Sequence, residues 1–272
     1  LIFAYDLGGG SNTLKIFNTY AQLYSFGYDT PIYGVSINSS GAFCVITADS
    51  GYASGIKVYN KDDLLIYSKQ FGNAHIVSAA INSKADHVLT VMLDSDDGDY
   101  LCTVYRYATS YEDEVNTLKF RDEMPLRVAY LENDSFVFLT DDTLRFYSED
   151  CMLKNTVSFD DLSVKRYFFG EDYAIITCAT QVVGNSTQLM VYNSEGDETF
   201  VGSFDGDVLS AAQHSGKLYV LCAGELHCYD MSTGKDTPTK VDTSYDALVV
   251  SEAYVACVCE TGSLVISTVI EE

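Results

Sequence analysis

Apolar positions along this chain fall into short runs of strand length, most ending in an aromatic residue and followed by a polar turn residue. The first copies read Leu14-Lys15-Ile16-Phe17-Asn18 and Ile56-Lys57-Val58-Tyr59-Asn60. Cys102-Thr103-Val104-Tyr105-Arg106 and Leu144-Arg145-Phe146-Tyr147-Ser148 follow. Leu189-Met190-Val191-Tyr192-Asn193 and Leu226-His227-Cys228-Tyr229-Asp230 continue the series, and Leu264-Val265-Ile266-Ser267 is a seventh copy without the aromatic. The last positions are 17, 59, 105, 147, 192, 229 and 267, with steps of 42, 46, 42, 45, 37 and 38.

A step near forty is the spacing of four-stranded propeller blades. The rest of each unit agrees. A second strand precedes each marker, as in Ala42 to Ala48, Phe136 to Thr140, Tyr173 to Cys178, Leu218 to Cys222 and Tyr254 to Cys259. Before it lies a strand of small residues, such as Gly34-Val35-Ser36-Ile37, Val77-Ser78-Ala79-Ala80-Ile81 and Leu209-Ser210-Ala211-Ala212. Small side chains suit an innermost strand, where blades crowd around an axis. An outer strand such as Leu64-Leu65-Ile66-Tyr67 follows the marker, and Ser40-Gly41, Asp97-Gly98, Ser215-Gly216 and Thr233-Gly234 supply the turns. The pattern predicts one all-β domain over residues 1–272, a β-propeller of about seven four-stranded blades. The first unit lacks an inner strand and the last lacks a clear outer one. Either an upstream segment completes the ring or the chain ends pair.

Composition narrows the job. The 272 residues carry 39 acidic against 16 basic side chains, a formal charge of -23. That field repels phosphate backbones and anionic surfaces, so nucleic acid is excluded as a partner. Cys44, Cys102, Cys151, Cys178, Cys222, Cys228, Cys257 and Cys259 form no C-x-x-C pair, and most sit in apolar runs, where they read as small buried hydrophobes. Cys257 and Cys259 would share one strand face, a poor geometry for a disulfide. Free thiols imply a reducing compartment or an organism living without oxygen. The longest apolar runs fall short of a membrane span. The chain begins at Leu1 inside a strand-like run, so any anchor is expected upstream of it.

Leu226-His227-Cys228-Tyr229-Asp230-Met231-Ser232-Thr233-Gly234-Lys235 resembles the strand-turn element of quinoprotein-type repeats, although the tryptophan of that family is missing. The repeats as a whole resemble the broad superfamily of WD40-like and quinoprotein-like propellers, without the Gly-His and Trp-Asp pairs of true WD40 blades. The opening Phe3-Ala4-Tyr5-Asp6-Leu7-Gly8-Gly9-Gly10-Ser11-Asn12-Thr13-Leu14-Lys15-Ile16-Phe17-Asn18 resembles the start of an uncharacterised family of surface-anchored propeller domains from anaerobic Gram-positive bacteria. That resemblance implies a membrane segment ahead of the propeller, an extracellular location and no assigned activity.

Several residues are candidates for chemistry. Asp94-Ser95-Asp96-Asp97-Gly98-Asp99 resembles a calcium loop, but its Gly comes one position early and Tyr105 stands where the last acidic ligand belongs. It reads as a solvated turn; as a cation site it would offer Asp94, Asp96 and Asp99. On the inner strands, aligning Leu126-Arg127-Val128 with Val164-Lys165-Arg166 sets Arg127 and Lys165 at matching positions, with Gly34, Leu209 and Asp246 as their equivalents. Two neighbouring cations would gather an anionic group, or would pair with Asp246 or with acids of the following loops. The stretch from Ala108 to Pro125 is long for a blade linker and carries Tyr111, Glu112 and Arg121, the material of a recognition loop. His75, His87, His214 and His227 lack a recognisable catalytic setting, and Gly8-Gly9-Gly10 opens a hairpin rather than a phosphate-binding helix.

These features favour a non-enzymatic, monomeric binding or scaffold domain with no cofactor, engaging a protein or glycan at the cell surface. A carbohydrate- or cell-wall-active enzyme would instead need paired carboxylates at the channel mouth. A ligand-sensing ectodomain would need a signalling module beyond the anchor.

Overall fold

Residues 2–6, 10–18, 20–96, 98–160, 162–180, 186–250, 255–258 and 264–267 are described by the computed structural model. Apart from a short 3-10 turn at Glu132–Asp134, their regular structure is all strand. No helix among them is long and apolar enough to cross a membrane. Two compact units are distinguished, Leu1–Met152 and Leu153–Glu272.

In the first unit, β1 (Ile2–Tyr5), β2 (Thr13–Phe17) and β3 (Gln22–Gly27) form one antiparallel sheet. β4 (Ile32–Ile37), β5 (Phe43–Asp49), β6 (Tyr52–Tyr59) and β7 (Leu65–Phe71) form the next. β8 (His75–Ile81), β9 (His87–Asp96), β10 (Asp99–Ala108) and β11 (Glu114–Arg121) form the third. β12 (Pro125–Tyr130), β13 (Phe136–Thr140) and β14 (Thr143–Tyr147) pair in the same order. The second unit opens with β15 (Leu153–Ser158). β16 (Leu162–Phe169), β17 (Tyr173–Thr180), β18 (Ser186–Asn193) and β19 (Glu198–Asp205) make one sheet. β20 (Val208–His214), β21 (Lys217–Cys222), β22 (Glu225–Asp230) and β23 (Thr239–Lys240) make the next. β24 (Ala247–Val250), β25 (Val255–Val258) and β26 (Leu264–Ser267) complete the described strands.

Every neighbouring pair is a hairpin, so each sheet is a local unit that exposes two apolar faces until the next sheet covers them. Within each unit consecutive sheets do so face to face. Ile46, Ile56 and Val58 of the second sheet pack with Ala79, Ile81 and Met92 of the third. Leu89, Val91 and Val104 of the third pack with Phe136 and Phe138 of the fourth. In the second unit, Ile175, Leu189 and Val191 pack with Ala211, Leu218 and Val220. Full burial of one such side chain contributes about 1.5–3 kcal/mol.

Two β-bulges recur in the sheets. On the first strand, register slips between Ile32 and Gly34, Ile76 and Ser78, Pro125 and Arg127, Val164 and Arg166, and Val208 and Ser210. On the fourth, the slip faces Phe17, Tyr59, Tyr107 and Tyr192 of the third strand. A bulge increases local twist and bends the strand that carries it. Placing one near each end of the sheet lets its outer strand turn away from its inner one.

The second bulge corrects the sequence reading. In the third sheet the equivalent aromatic is Tyr107, not Tyr105: Tyr107 pairs with Val88 as Tyr59 pairs with Phe43. The polar residue after the marker also has a defined role. Asn60 Oδ1 accepts from the amides of Asp62 and Leu64, both at 3.0 Å. Asn193 Oδ1 does the same for Glu195 and Asp197, and Asp230 for Ser232 and Thr233. These short polar side chains shape the turn between the third and fourth strands.

The stretch from Ala108 to Pro125 is not a long loop. Its centre, Glu114–Arg121, is β11, paired with β10. Leu118 and Phe120, two apart, pack against the core from this strand. Its dense charge hid that alternation.

Candidate functional site

The strongest constellation lies in the first unit, where the turn between β10 and β11 meets β7. Tyr107 is buried at the bulge, with ring centroids 6.2 Å from Tyr67, 6.1 Å from Phe71 and 6.0 Å from Tyr105. Lys69 of β7 places its Nζ 4.5 Å from the Tyr107 ring centroid and donates at 2.5 Å to the carbonyl of Glu112. A cation held over an aromatic face while bonded to a carbonyl keeps little freedom. The turn is pinned from its other side too. Thr109 N donates to Asp86 O at 2.8 Å, Thr109 Oγ1 to Ala85 O at 3.1 Å, and Tyr111 N to Ala108 O at 3.0 Å.

On this fixed turn Tyr111 stands 69% exposed, followed by Glu112, Asp113 and Glu114. Among the described residues the buried Tyr67 hydroxyl has no hydrogen-bond partner. Burial, then the charges of Glu112 and Glu114, push its pKa up to about 12, so at neutral pH it stays a protonated donor. An enclosed polar atom without a partner is unfavourable, and such groups mark places where something else supplies the bond. The corner therefore presents a ring surface and a row of carboxylates over an enclosed phenolic donor. These groups suit binding of a polar molecule or chain by stacking and hydrogen bonds.

The structure separates the other sequence candidates. Arg121 ends β11, seven residues from Glu114, so it lies roughly 23 Å along the strand from the Tyr111 turn. Its pairing partner is Leu101. Arg127 and Lys165 are not equivalent: Arg127 pairs with Leu139 and Arg166 with Thr177, while Lys165 falls on the bulge, as Leu126 does. A one-residue slip reverses the face to which a side chain points. Lys165 forms an ion pair with Asp207 at 2.9 Å, an acid of the following loop. The Asp246 amide donates to Val258 O at 3.0 Å.

Asp94 and Asp99 flank a tight hairpin in which Asp99 pairs with Asp96 and Tyr100 with Ser95. Asp97 and the side chain of Asp96 lie outside the described residues, as do Gly8, Gly9 and Cys259. Among the described residues no group of three or more His, Cys, Asp or Glu side chains could hold a metal ion. Their cysteines are unpaired.

Two polar clusters were not visible in the sequence. Glu123 and Arg145 form a bidentate ion pair with distances of 2.6 and 2.7 Å. Thr140 and Thr143 donate to the same carboxylate, and the guanidinium lies 4.7 Å from the Phe120 ring centroid. In the second unit, His227 Nδ1 sits 2.8 Å from Asp236 and Nε2 3.6 Å from Glu225, with its ring stacked on Tyr229. Glu225 and His227 are two apart on β22, a same-face spacing, but Asp236 joins them only because the chain folds back after Gly234. This cluster ties β22 to the returning chain.

Comparisons with known proteins agree with this architecture. The WD40 domain of Neurospora crassa Pan2 is similar with a TM-score of 0.60 at 11% identity, covering 95% of this chain and 85% of that one. BamB from Moraxella catarrhalis gives 0.54 at 12%, covering 97% and 95%. A functionally unknown protein from Desulfotomaculum acetoxidans gives 0.60 at 11%, covering 94% and 91%. The fold is thus an all-β propeller of about seven four-stranded blades. No curated protein matches. A family model described as a family of unknown function, DUF5711, matches residues 2–260.

Proposed function

The chain belongs to the family of unknown function DUF5711, and from that premise we propose that it is a non-enzymatic binding or scaffold domain whose contact surface includes the Tyr111 turn. The observation that carries this reading is the unpartnered Tyr67 hydroxyl beside a pinned turn that presents an exposed tyrosine and consecutive carboxylates. Rigid sheets beneath an exposed polar and aromatic turn suit a surface that recognises a ligand. The ligand proposed is a protein or glycan encountered at the cell surface, with the domain displayed outside the cell by a membrane anchor. The resemblance of the opening residues to anchored propellers supports that location.

The test is retention of immobilised protein on arrays of cell-wall oligosaccharides and surface-protein peptides. Tyr111→Ala and Tyr67→Phe are each expected to weaken retention at least ten-fold without moving the thermal midpoint. Tyr111→Ala removes the exposed ring, and Tyr67→Phe removes only the donor. Equal retention by the native protein and both variants, or no retention by any of them, overturns the reading.

A further inference from the structure

A strand at the rim of a sheet exposes unpaired amide and carbonyl groups, and proteins guard such edges with charge or proline. Among the described residues the last strands of the sheets follow that rule except β3 and β26, and β26 reads Leu-Val-Ile-Ser as the third strand of its sheet. β7 carries Lys69, β11 carries Glu114, Lys119 and Arg121, β15 carries Lys154, β19 carries Glu198 and Asp205, and β23 carries Lys240. β3, reading Gln-Leu-Tyr-Ser-Phe-Gly, has neither charge nor proline. It is also the outer strand with the most open aromatic surface. Leu23 and Tyr24 are 40% and 41% exposed, and Tyr20 just before the strand is 93% exposed.

The strand is nonetheless firmly placed. Phe26 packs with Leu14, Ile16 and Phe43 in the core, with its ring centroid 5.8 Å from that of Phe43. The Tyr28 amide donates to Asn12 O at 2.9 Å, so by the two-residue period Phe26 and Tyr24 also face β2. Ser25 and Gly27 then turn their amides and carbonyls outward. At one end of the edge Asp29 follows two residues after Gly27, and Lys15 of β2 stands opposite Ser25. The whole chain carries -23.

The geometry points to β3 as a strand-addition site for an extended peptide segment bearing Lys or Arg, which pairs with the outward groups of Ser25 and Gly27. Main-chain bonds supply the ladder, Leu23, Tyr24 and Tyr20 supply apolar contact, and the acidic field selects the basic segment. A second copy of this chain is disfavoured by the same charge, which would set two strongly acidic bodies side by side. This site is separate from the Tyr111 turn and does not depend on its reading.

The probe is a fluorescent ten-residue peptide alternating lysine with valine and threonine, titrated in low salt, against the same peptide with glutamate for lysine. The lysine peptide is expected to bind at least ten-fold more tightly, with loss of affinity in high salt. Ser25→Pro removes an outward amide at a position where an edge strand accepts proline, and it should weaken binding at least ten-fold. Leu23→Lys, which guards the edge by charge, should do the same and decides the matter where Ser25→Pro lowers the thermal midpoint. Failure of the native protein to bind the lysine peptide overturns the inference, as does equal affinity in the folded variants. A dimer in sedimentation that Ser25→Pro dissolves also overturns it, because the edge would then serve a second copy.

Discussion

The Glu123–Arg145 pair allows a quantitative test of how this fold handles charge. Its side chains are 17% and 15% exposed, between the surface pairs that contribute about 0–1 kcal/mol and the buried ones whose disruption costs about 3–5 kcal/mol. The bond count places it toward the middle of that range: two charge-assisted bonds at 2.6 and 2.7 Å, with hydroxyl bonds at 3.0 and 3.2 Å. Glu123→Leu should therefore destabilise by about 2–3 kcal/mol, because Arg145 is left half-buried without its carboxylate. The double variant with Arg145→Met should recover about 1–2 kcal/mol of that loss. Burial alone would raise the Glu123 pKa, but the bonds from Arg145, then from Thr140 and Thr143, outweigh it and hold the carboxyl below its ordinary 4.5. A depressed folded-state pKa gives stability that is full above about pH 4.5 and is lost as pH falls through the folded-state value. Chemical denaturation of the four proteins of the cycle, at pH 7 and at pH 3, measures both effects. A coupling below about 0.5 kcal/mol at pH 7, or one that does not shrink at pH 3, would refute the assignment.

Two further outcomes follow from the buried thiols and the turn side chains. Burial pushes the Cys44 and Cys102 thiols up to about 12, so neither should react with a maleimide in the native protein at neutral pH, whereas the half-buried Cys151 and Cys228 should label before the other described cysteines by mass spectrometry. Asn193→Ala removes two side-chain bonds to turn amides and should cost about 1–2 kcal/mol in denaturant melts, while Asn193→Asp keeps the acceptor but replaces the donor to Asp197 with a second carboxylate and should recover only part of that loss.

The sheets were legible because each is a local hairpin stack and all but the last described carry an aromatic near the end of the third strand. Register was less legible. The third strand of the third sheet has tyrosine at both 105 and 107, and two residues of one face satisfy the same alternation. Only the slip that sets Tyr107 opposite Glu114 distinguishes them. The first-strand cations failed for a related reason. Lys165 and Arg166 are adjacent, so the sequence offers two alignments with Arg127, and the bulge at Lys165 selects the other one. The Glu123–Arg145 and His227–Asp236 contacts join residues 22 and 9 apart and depend on where strands return, which composition does not encode.

The bulges also explain why the candidate surface lies where it does. Each slip between third and fourth strands leaves one extra residue on the fourth: Leu23, Ile66, Val115 and Thr199. The extra residue turns the aromatic opposite it into the space between sheets, and Tyr59 and Tyr107 each pack there. The polar groups of the adjoining turn are driven the other way. In the third sheet the third strand is long, so the turn after Ala108 begins farther out, and Lys69 of the preceding sheet has to reach across to hold it. That reach leaves Tyr67 enclosed beneath with its donor unused. In the first sheet the same slip falls on Leu23, within a strand that has no charge to guard it. One repeated device therefore produces both proposed contact surfaces, and the sequence of each fourth strand decides which kind it becomes. Charged fourth strands leave recognition to the turn, and the uncharged one opens its own edge.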